Sequence, residues 1–168
     1  MGNPNSFTRL CERNGKTPGG RTLLFRLEKA TDRDIKELEL EENECVIHIQ
    51  RLRSADGIPV MIENLYFPGH LKRILEENLD DNSLYQILRQ KYNLTSGGSL
   101  MAIELSECKR EEASLLQVPV KTPLLLVREV VYDQNNSPLH RTKTVLLGDK
   151  FKYISVRNLP EDIEKKLV

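Results

Sequence analysis

Alternating hydrophobic and polar residues predict most of the strands in this chain. In the stretch CVIHI, the residues Cys45, Ile47 and Ile49 share one side, and the segment PLLLVREVVYD shows a similar pattern. Because successive side chains of a strand point to opposite faces, such stretches are typical of strands. The predicted strands cover residues 22–29, 44–54, 58–68, 100–107, 123–133 and 138–156.

Helical spacing of apolar residues predicts short helices between these strands. Thr31 followed by Asp34 forms a capping pattern at the start of one of them. The predicted helices cover residues 5–15, 31–40, 70–79, 83–93 and 109–118, with a closing helix or frayed tail at 159–168. The segments KTPGGR and TSGGS are predicted loops. Strands joined by short turns, with helices inserted between hairpins, indicate an antiparallel α+β domain rather than a doubly wound parallel sheet.

Composition narrows the class of protein. The 168 residues suit one domain, and 25 basic residues balance 25 acidic ones, so no overall field attracts nucleic acid or an anionic membrane. No apolar run approaches the roughly 18 residues that cross a bilayer. The three cysteines are far apart and form no CxxC pair, which indicates a reduced, cytoplasmic protein without a disulfide framework or a zinc site.

Two arginines interrupt the apolar side of the strand at 44–54. Arg51 and Arg53 continue the side that begins with Cys45, Ile47 and Ile49. One interpretation is that the strand leaves the core there, so that both cations are solvated at the rim of the sheet. The other is that both are buried and bind an anion, because forked guanidinium donors suit phosphate or carboxylate.

The turn after this strand decides where Glu63 lies. A two-residue turn at Asp56-Gly57 would place Glu63 on the face opposite to the arginines. A three-residue loop with Gly57 in the left-handed conformation would place Ser54 opposite Ile58 and Glu63 on the arginine face. We predict the three-residue loop, and therefore one face with two guanidinium groups and one carboxylate. Even with one arginine paired to the carboxylate, this site would be positive.

Other features add weaker anion contacts but no catalytic machinery. Ser83 precedes a helix whose first amides can hold an anion, although Ser83 and Gln86 also fit an ordinary capping box. The amides of the TPGGRT loop are a further candidate. No histidine pair has metal-ligand spacing, no serine lies in a GxSxG turn, and no cofactor motif is present. These patterns favour a site that binds rather than one that reacts.

Four motifs in order carry a family resemblance. VIHIQRLRSADGIPVMIENLYFP, SLYQILRQKYN, EASLLQVPVKTPLLLVREVVYDQNNSPLH and GDKFKY together resemble the UTRA effector-binding domain of bacterial GntR-family transcription regulators of the HutC-type subgroup. The resemblance runs from about Phe7 to Val156. It implies a chorismate lyase-like fold, in which helices flank an antiparallel sheet of about six strands. It also implies a single effector-binding domain over residues 1–168 that senses a small anionic metabolite, often a sugar phosphate. Such domains form homodimers and contact DNA only through an N-terminal winged-helix domain, which is absent from this chain.

The resemblance also implies the residues of the effector site. The matched positions are Arg51, Arg53, Glu63, Ser83 and Tyr85, together with Gly20, Arg21 and Thr22 of the phosphate loop and His140 of the second hairpin. The chain departs from the family pattern in two places: Gly19 and Gly20 stand where serines are common, and His140 stands where an acid is common. The glycines weaken the expectation of a family-like phosphate contact by this loop, and His140 weakens the expectation of an amino-sugar ligand. Two alternatives remain, namely an enzyme of the chorismate lyase type and a dimerisation module with an empty cleft.

Overall fold

The computed structural model describes residues 6–80 and 82–154, which form one sheet flanked by short helices. The strands are β1 (Pro18–Lys29), β2 (Cys45–Ala55), β3 (Ile58–Pro68), β4 (Ser96–Glu107), β5 (Pro123–Asp133) and β6 (Pro138–Leu146). The α-helices are α1 (Phe7–Arg13), α2 (Asp32–Leu38), α3 (Leu84–Tyr92) and α4 (Arg110–Leu116). A 3₁₀ helix covers Gly69–Glu76. The segment predicted as a closing helix or tail at 159–168 lies outside the described residues.

The six strands form a single antiparallel sheet in the order β1-β2-β3-β6-β5-β4. This arrangement confirms the predicted α+β fold class. None of the helices within the described residues is long and apolar enough to cross a bilayer.

Two predicted loops are wrong, because both glycine pairs lie inside strands. The KTPGGR segment enters β1 at Pro18, and SGGS opens β4. A Cβ atom at Gly20 would lie 2.6 Å from the carbonyl oxygen of Leu52, and one at Gly97 would lie 2.3 Å from that of Asp133. Glycine is therefore needed at these positions because neighbouring backbone comes too close for a side chain.

The turn between β2 and β3 also differs from the prediction. Asp56 and Gly57 have φ angles of +53° and +78°, as in a two-residue hairpin turn, and Ala55 pairs with Ile58. A register shift follows, because Ser54 pairs with Pro59 while Arg53 pairs with Met61. The extra residue on β3 is a bulge that returns the later side chains of β3 to the other face. Glu63 therefore shares the arginine face, as predicted, although the three-residue loop is wrong.

Helices cover both faces of the sheet. On the first face, which carries Ile47, Ile49, Arg51 and Arg53, the core forms two separate apolar clusters. One packs Ile47, Ile49, Leu65 and Phe67 against the 3₁₀ helix and α3, and the other packs Met61, Val127 and Leu146 against α1. On the second face, α4 and α2 cover the clusters around Leu52 and Val46. The polar residues of the first face lie between its two apolar clusters.

Candidate functional site

The two arginines of β2 are buried on the first face of the sheet. Arg51 is 3% exposed and Arg53 is 2% exposed. Arg51 of β2 is paired with Glu63 of the neighbouring strand β3, which brings the carboxylate beside both guanidinium groups. The interpretation of solvated arginines at the rim of the sheet is therefore wrong.

Arg51 fixes the segment that leads into α3. Its Nη2 atom donates hydrogen bonds to the carbonyl oxygens of Leu79, at 2.5 Å, and Asn82, at 2.8 Å. Strand β2 is thereby joined to the backbone just before Ser83. A change in the position of the Arg51 side chain would therefore change its hydrogen bonds to the residues just before α3.

Arg53 has fewer partners. Its Nε atom lies 3.7 Å from a carboxylate oxygen of Glu63, and its guanidinium group lies 4.5 Å from the centre of the Phe7 ring. Within residues 6–80 and 82–154, its Nε and Nη1 atoms have no hydrogen-bond partner. A buried cation with unsatisfied donors is costly unless another group completes its hydrogen bonds. The guanidinium group of Arg53 can therefore donate hydrogen bonds to an acceptor that a ligand supplies.

Ser83 and Tyr85 face the same space as the arginines. Ser83 is the N-cap residue of α3, but its side chain makes no capping hydrogen bond, so the capping box with Gln86 does not form. Both residues line a cavity of about 280 Å³, including its open mouth, with the two arginines and Glu63. Ser6, Phe7, Thr8, Leu65 and Leu84 complete the lining. The structure thus brings together five of the predicted site residues.

His140 lies behind this cavity rather than in its lining. Its Nε2 atom is 2.8 Å from the hydroxyl oxygen of Tyr85, and its ring packs 4.8 Å from that of Phe67. Complete burial lowers the pKa of His140 to about 3, so the ring is neutral near pH 7. The contact positions the tyrosine hydroxyl. A direct contact between His140 and an effector stays a prediction.

The three residues predicted on the first loop are divided between the two faces of β1. Gly20 and Thr22 pair with Arg53 and Arg51, whereas Arg21 pairs with Leu52 and is exposed. Because side chains alternate along a strand, Arg21 points away from the cavity. None of the three lines the cavity. A role for them in effector binding stays a prediction.

A carboxylate of the chain already accepts a hydrogen bond from one of the TPGGRT amides that the sequence suggests as an anion contact. The amide of Thr22 donates a hydrogen bond of 2.6 Å to Asp80. Hydrogen bonds from the Thr22 amide and hydroxyl lower the pKa of Asp80, and the nearby charges of Arg51 and Arg21 lower it further. Asp80, which is exposed, therefore places a negative charge beside the arginine site.

Sequence reasoning missed a second, adjoining cavity of about 450 Å³, including its open mouth. It shares Ser6, Phe7, Glu63, Leu65 and Tyr85 with the first cavity. Its additional polar lining comes from β5, β6 and the end of the described chain, namely Glu129, Thr142, Thr144 and Tyr153. Glu129 can be identified from the sequence in the same way as the arginines, because it interrupts the apolar series Leu125, Val127 and Val131 on one side of a strand. Together the two cavities offer cationic donors at one end and carboxylates and hydroxyls at the other.

Comparison with known protein families gives one family match. The family model described as UTRA domain matches residues 13–152. Among curated proteins, the HTH-type transcriptional repressor NagR of Bacillus subtilis (strain 168) is 28% identical over 149 residues, which cover 89% of this chain and 61% of that protein. The HTH-type transcriptional repressor PhnF of Mycolicibacterium smegmatis is 26% identical over 112 residues, which cover 66% and 46% respectively. The chain thus spans about half the length of these relatives.

Solved structures share the fold. The effector domain of PhnF from Mycobacterium smegmatis superposes with a TM-score of 0.82 at 22% identity, covering 94% of this chain and 97% of that one. A transcriptional regulator of the GntR family from Enterococcus faecalis V583 superposes with a TM-score of 0.72 at 24% identity, covering 82% and 99% respectively. These likenesses confirm the predicted sheet and its flanking helices.

Proposed function

The chain belongs to the UTRA domain family, and we propose that it is the effector-binding domain of a GntR-family transcription regulator that senses a small anionic metabolite. The observation that carries this proposal is Arg53, which is buried at a cavity with two hydrogen-bond donors that have no partner in the described residues. A ligand anion would satisfy those donors. The curated relatives with similar sequences are transcriptional repressors, which supports a regulatory role rather than an enzymatic one.

The chemistry of the first cavity favours a phosphate or carboxylate group. Two guanidinium groups face one carboxylate, so the lining is positive overall. Planar guanidinium donors bind two oxygens of such groups at once, and the hydroxyl of Ser83, which makes no capping hydrogen bond, supplies a further donor. We favour a phosphorylated sugar, whose hydroxyls would meet the polar lining of the second cavity.

Signalling would start from the segment that Arg51 holds. An anion between the arginines would compete for the donors that now bind Leu79 and Asn82, and would bias the arrangement of the residues before α3. A ligand shifts such a balance only through its different affinities for the two arrangements. In the proposal, the domain works in the cytoplasm as a homodimer and reports this change to an N-terminal winged-helix domain that contacts DNA.

A ligand panel tests the proposal. We expect one sugar phosphate or small carboxylate to raise the unfolding temperature of the chain by about 5–10 °C at a hundredfold excess over its dissociation constant, which corresponds to about 2.7 kcal/mol. Differential scanning fluorimetry against inorganic phosphate, phosphosugars and carboxylates measures the shift. No shift across a broad panel would favour the alternative of a dimerisation module with an empty cleft. Conversion of added chorismate to 4-hydroxybenzoate would favour the enzyme alternative.

Replacing Asp80 with asparagine is expected to tighten the binding of inorganic phosphate by roughly threefold to tenfold, about 0.7–1.4 kcal/mol. The substitution removes a negative charge that interacts with Arg51, and the asparagine oxygen can still accept the hydrogen bond from the amide of Thr22. Calorimetric titration at low ionic strength measures the change, because screening by salt would weaken the effect. The matched control is Asp149→Asn, at an exposed position outside both cavity linings. Weaker phosphate binding by Asp80→Asn would show that Asp80 positions the site instead of competing for it.

A further inference from the structure

A third cavity opens beside the arginine cavity. It is a groove between α1 and α3 of about 620 Å³, including its open mouth. Ser6, Thr8, Ser83 and Tyr85 line both this groove and the arginine cavity, so the two spaces adjoin each other. A ligand that is bound by the buried arginines can therefore extend into the groove.

The walls of the groove are two stripes of polar residues, one on each helix. Residues three positions apart lie on the same side of a helix. Each stripe starts at the N-cap serine of its helix and continues at that spacing: Ser6, Arg9 and Glu12 on α1, and Ser83, Gln86 and Arg89 on α3. Because both serines also line the arginine cavity, the groove leads from that cavity outwards along the two helices.

The lining of the groove is positive. Arg9 and Glu12 form an ion pair of 3.0 Å on α1, and both side chains are 53% exposed. Glu12 is the only carboxylate that the described residues contribute to the lining, whereas Arg89 on α3 adds a second cation. The side-chain amide of Gln86 and the hydroxyls of the lining offer further hydrogen-bond donors. A groove of this composition favours an anionic group.

We propose that the groove binds a second anionic group of the effector, so that the effector carries two such groups, one bound by Arg51 and Arg53 and the other by Arg89. This inference rests on the proposed anion site and adds a contact outside it. Phosphate and carboxylate groups both suit the second position, because each accepts the paired donors of a guanidinium group. The uncharged polar part of the effector would then occupy the second cavity.

The spacing along α3 brings the two contacts within reach of one small molecule. Ser83 and Arg89 are six residues apart, which corresponds to about 9 Å along a helix axis. The side chains of a helix lean towards its N-terminus, so the long side chain of Arg89 shortens this separation. Two anionic groups roughly 5–9 Å apart can therefore contact the buried arginines and Arg89 at once.

The two contacts make different contributions to recognition. Arg53 is 2% exposed, whereas Arg89 is exposed, and dissolved salt screens a charge at the surface more than a buried one. The buried arginines therefore provide most of the affinity. Arg89 provides selectivity, because it distinguishes a ligand with two anionic groups from a ligand with one.

Bisphosphonates of different lengths test the inference without knowledge of the natural effector. Alkane bisphosphonates with two to six carbons are compared with hydroxyalkyl phosphonates of equal length, and inorganic phosphate is the reference. The bisphosphonates carry the same two groups and differ in their spacing. By calorimetric titration at low ionic strength, we expect one length to bind at least about fivefold more tightly than its hydroxyl counterpart and than the shortest bisphosphonate. Arg89→Gln should lower both preferences below about twofold.

The controls separate this inference from the proposed function. Arg73→Gln removes the same charge at an exposed position outside all three cavity linings, and it should retain both preferences. Equal affinity for bisphosphonates and their hydroxyl counterparts, no dependence on length, or equal loss in both variants would overturn the inference and leave the anion site standing. Absence of binding by inorganic phosphate and by every phosphonate would overturn both. The length series needs no variant, so it holds even if Arg89→Gln unfolds.

Discussion

Replacing Arg53 with methionine is expected to weaken phosphate binding by at least tenfold while leaving the unliganded domain as stable as the wild type, or more stable. The guanidinium group is 2% exposed and has two donor atoms without hydrogen-bond partners in the described residues. Loss of one member of a buried, hydrogen-bonded charge pair costs about 2–5 kcal/mol of binding free energy. In the free protein, however, removal of an incompletely paired buried charge removes a desolvation cost, and its partner Glu63 is 18% exposed and still lies beside Arg51, so no fully buried carboxylate loses its cation. Methionine retains much of the packing against Phe7.

This opposite response of binding and stability distinguishes a ligand-binding arginine from a structural one. Calorimetric titration with inorganic phosphate measures affinity, and urea unfolding of the free protein measures stability. Arg26→Met is the matched control, because Arg26 is exposed on β1, pairs with Glu28 and lies on the other face of the sheet. Unchanged phosphate affinity in Arg53→Met would refute the anion site. A large loss of stability would show that Arg53 is a structural residue.

The hydrophobic pattern predicts β2, β3 and β5 well because each of these strands buries several apolar side chains. The β2 and β3 strands are found within one residue of their predicted limits. The pattern is less informative where the backbone itself decides the structure. Gly20 and Gly97 resemble loop residues in sequence, yet each allows a close backbone approach inside a strand. Residues 69–76 have helical spacing, but they form a 3₁₀ helix with a kink at Leu71.

The bulge in β3 shows how a correct conclusion can follow from a wrong premise. Glu63 reaches the arginine face because one extra residue interrupts the pairing between Arg53 and Ser54. A bulge has no fixed sequence signature, so the turn residues alone could not predict it. The sequence is compatible with both candidate turns, and the two-residue turn brings the carboxylate beside the arginines only because of this bulge. The predicted position of Glu63 is therefore correct, although the loop from which it was argued is wrong.

The sequence identifies some polar residues of the site more readily than others. Arg51, Arg53 and Glu129 interrupt apolar series on strands, so alternation identifies them. Asp80 lies in an irregular segment between two helices, where no periodicity relates a residue to the sheet. Its contact with Thr22 joins residues 58 positions apart. Such a contact depends on how the segment packs, which the local sequence does not specify.

Strand β6 connects the candidate site with a helix on the other face of the sheet. His140 contacts Tyr85 on the first face, and the next residue, Arg141, points to α2 on the second face. The Arg141 Nε atom donates a hydrogen bond of 2.6 Å to Asp34, and its guanidinium group lies 3.8 Å from the centre of the Tyr66 ring. Asp34 also accepts hydrogen bonds from the amide and hydroxyl of Thr31 at the start of α2. This ion pair therefore anchors α2 to the sheet.

Replacing Arg141 with methionine is expected to lower the free energy of unfolding by about 3–5 kcal/mol, because the substitution leaves Asp34 as a buried carboxylate without its cation. Asp34 is 1% exposed, so water cannot replace the lost partner. Urea unfolding followed by circular dichroism measures the change. Arg33→Met breaks the exposed pair with Glu37 on the same helix and should cost less than about 1 kcal/mol. Similar losses in both variants would mean that the buried pair contributes no more than a surface pair, and α2 would then be held mainly by the apolar cluster around Val46.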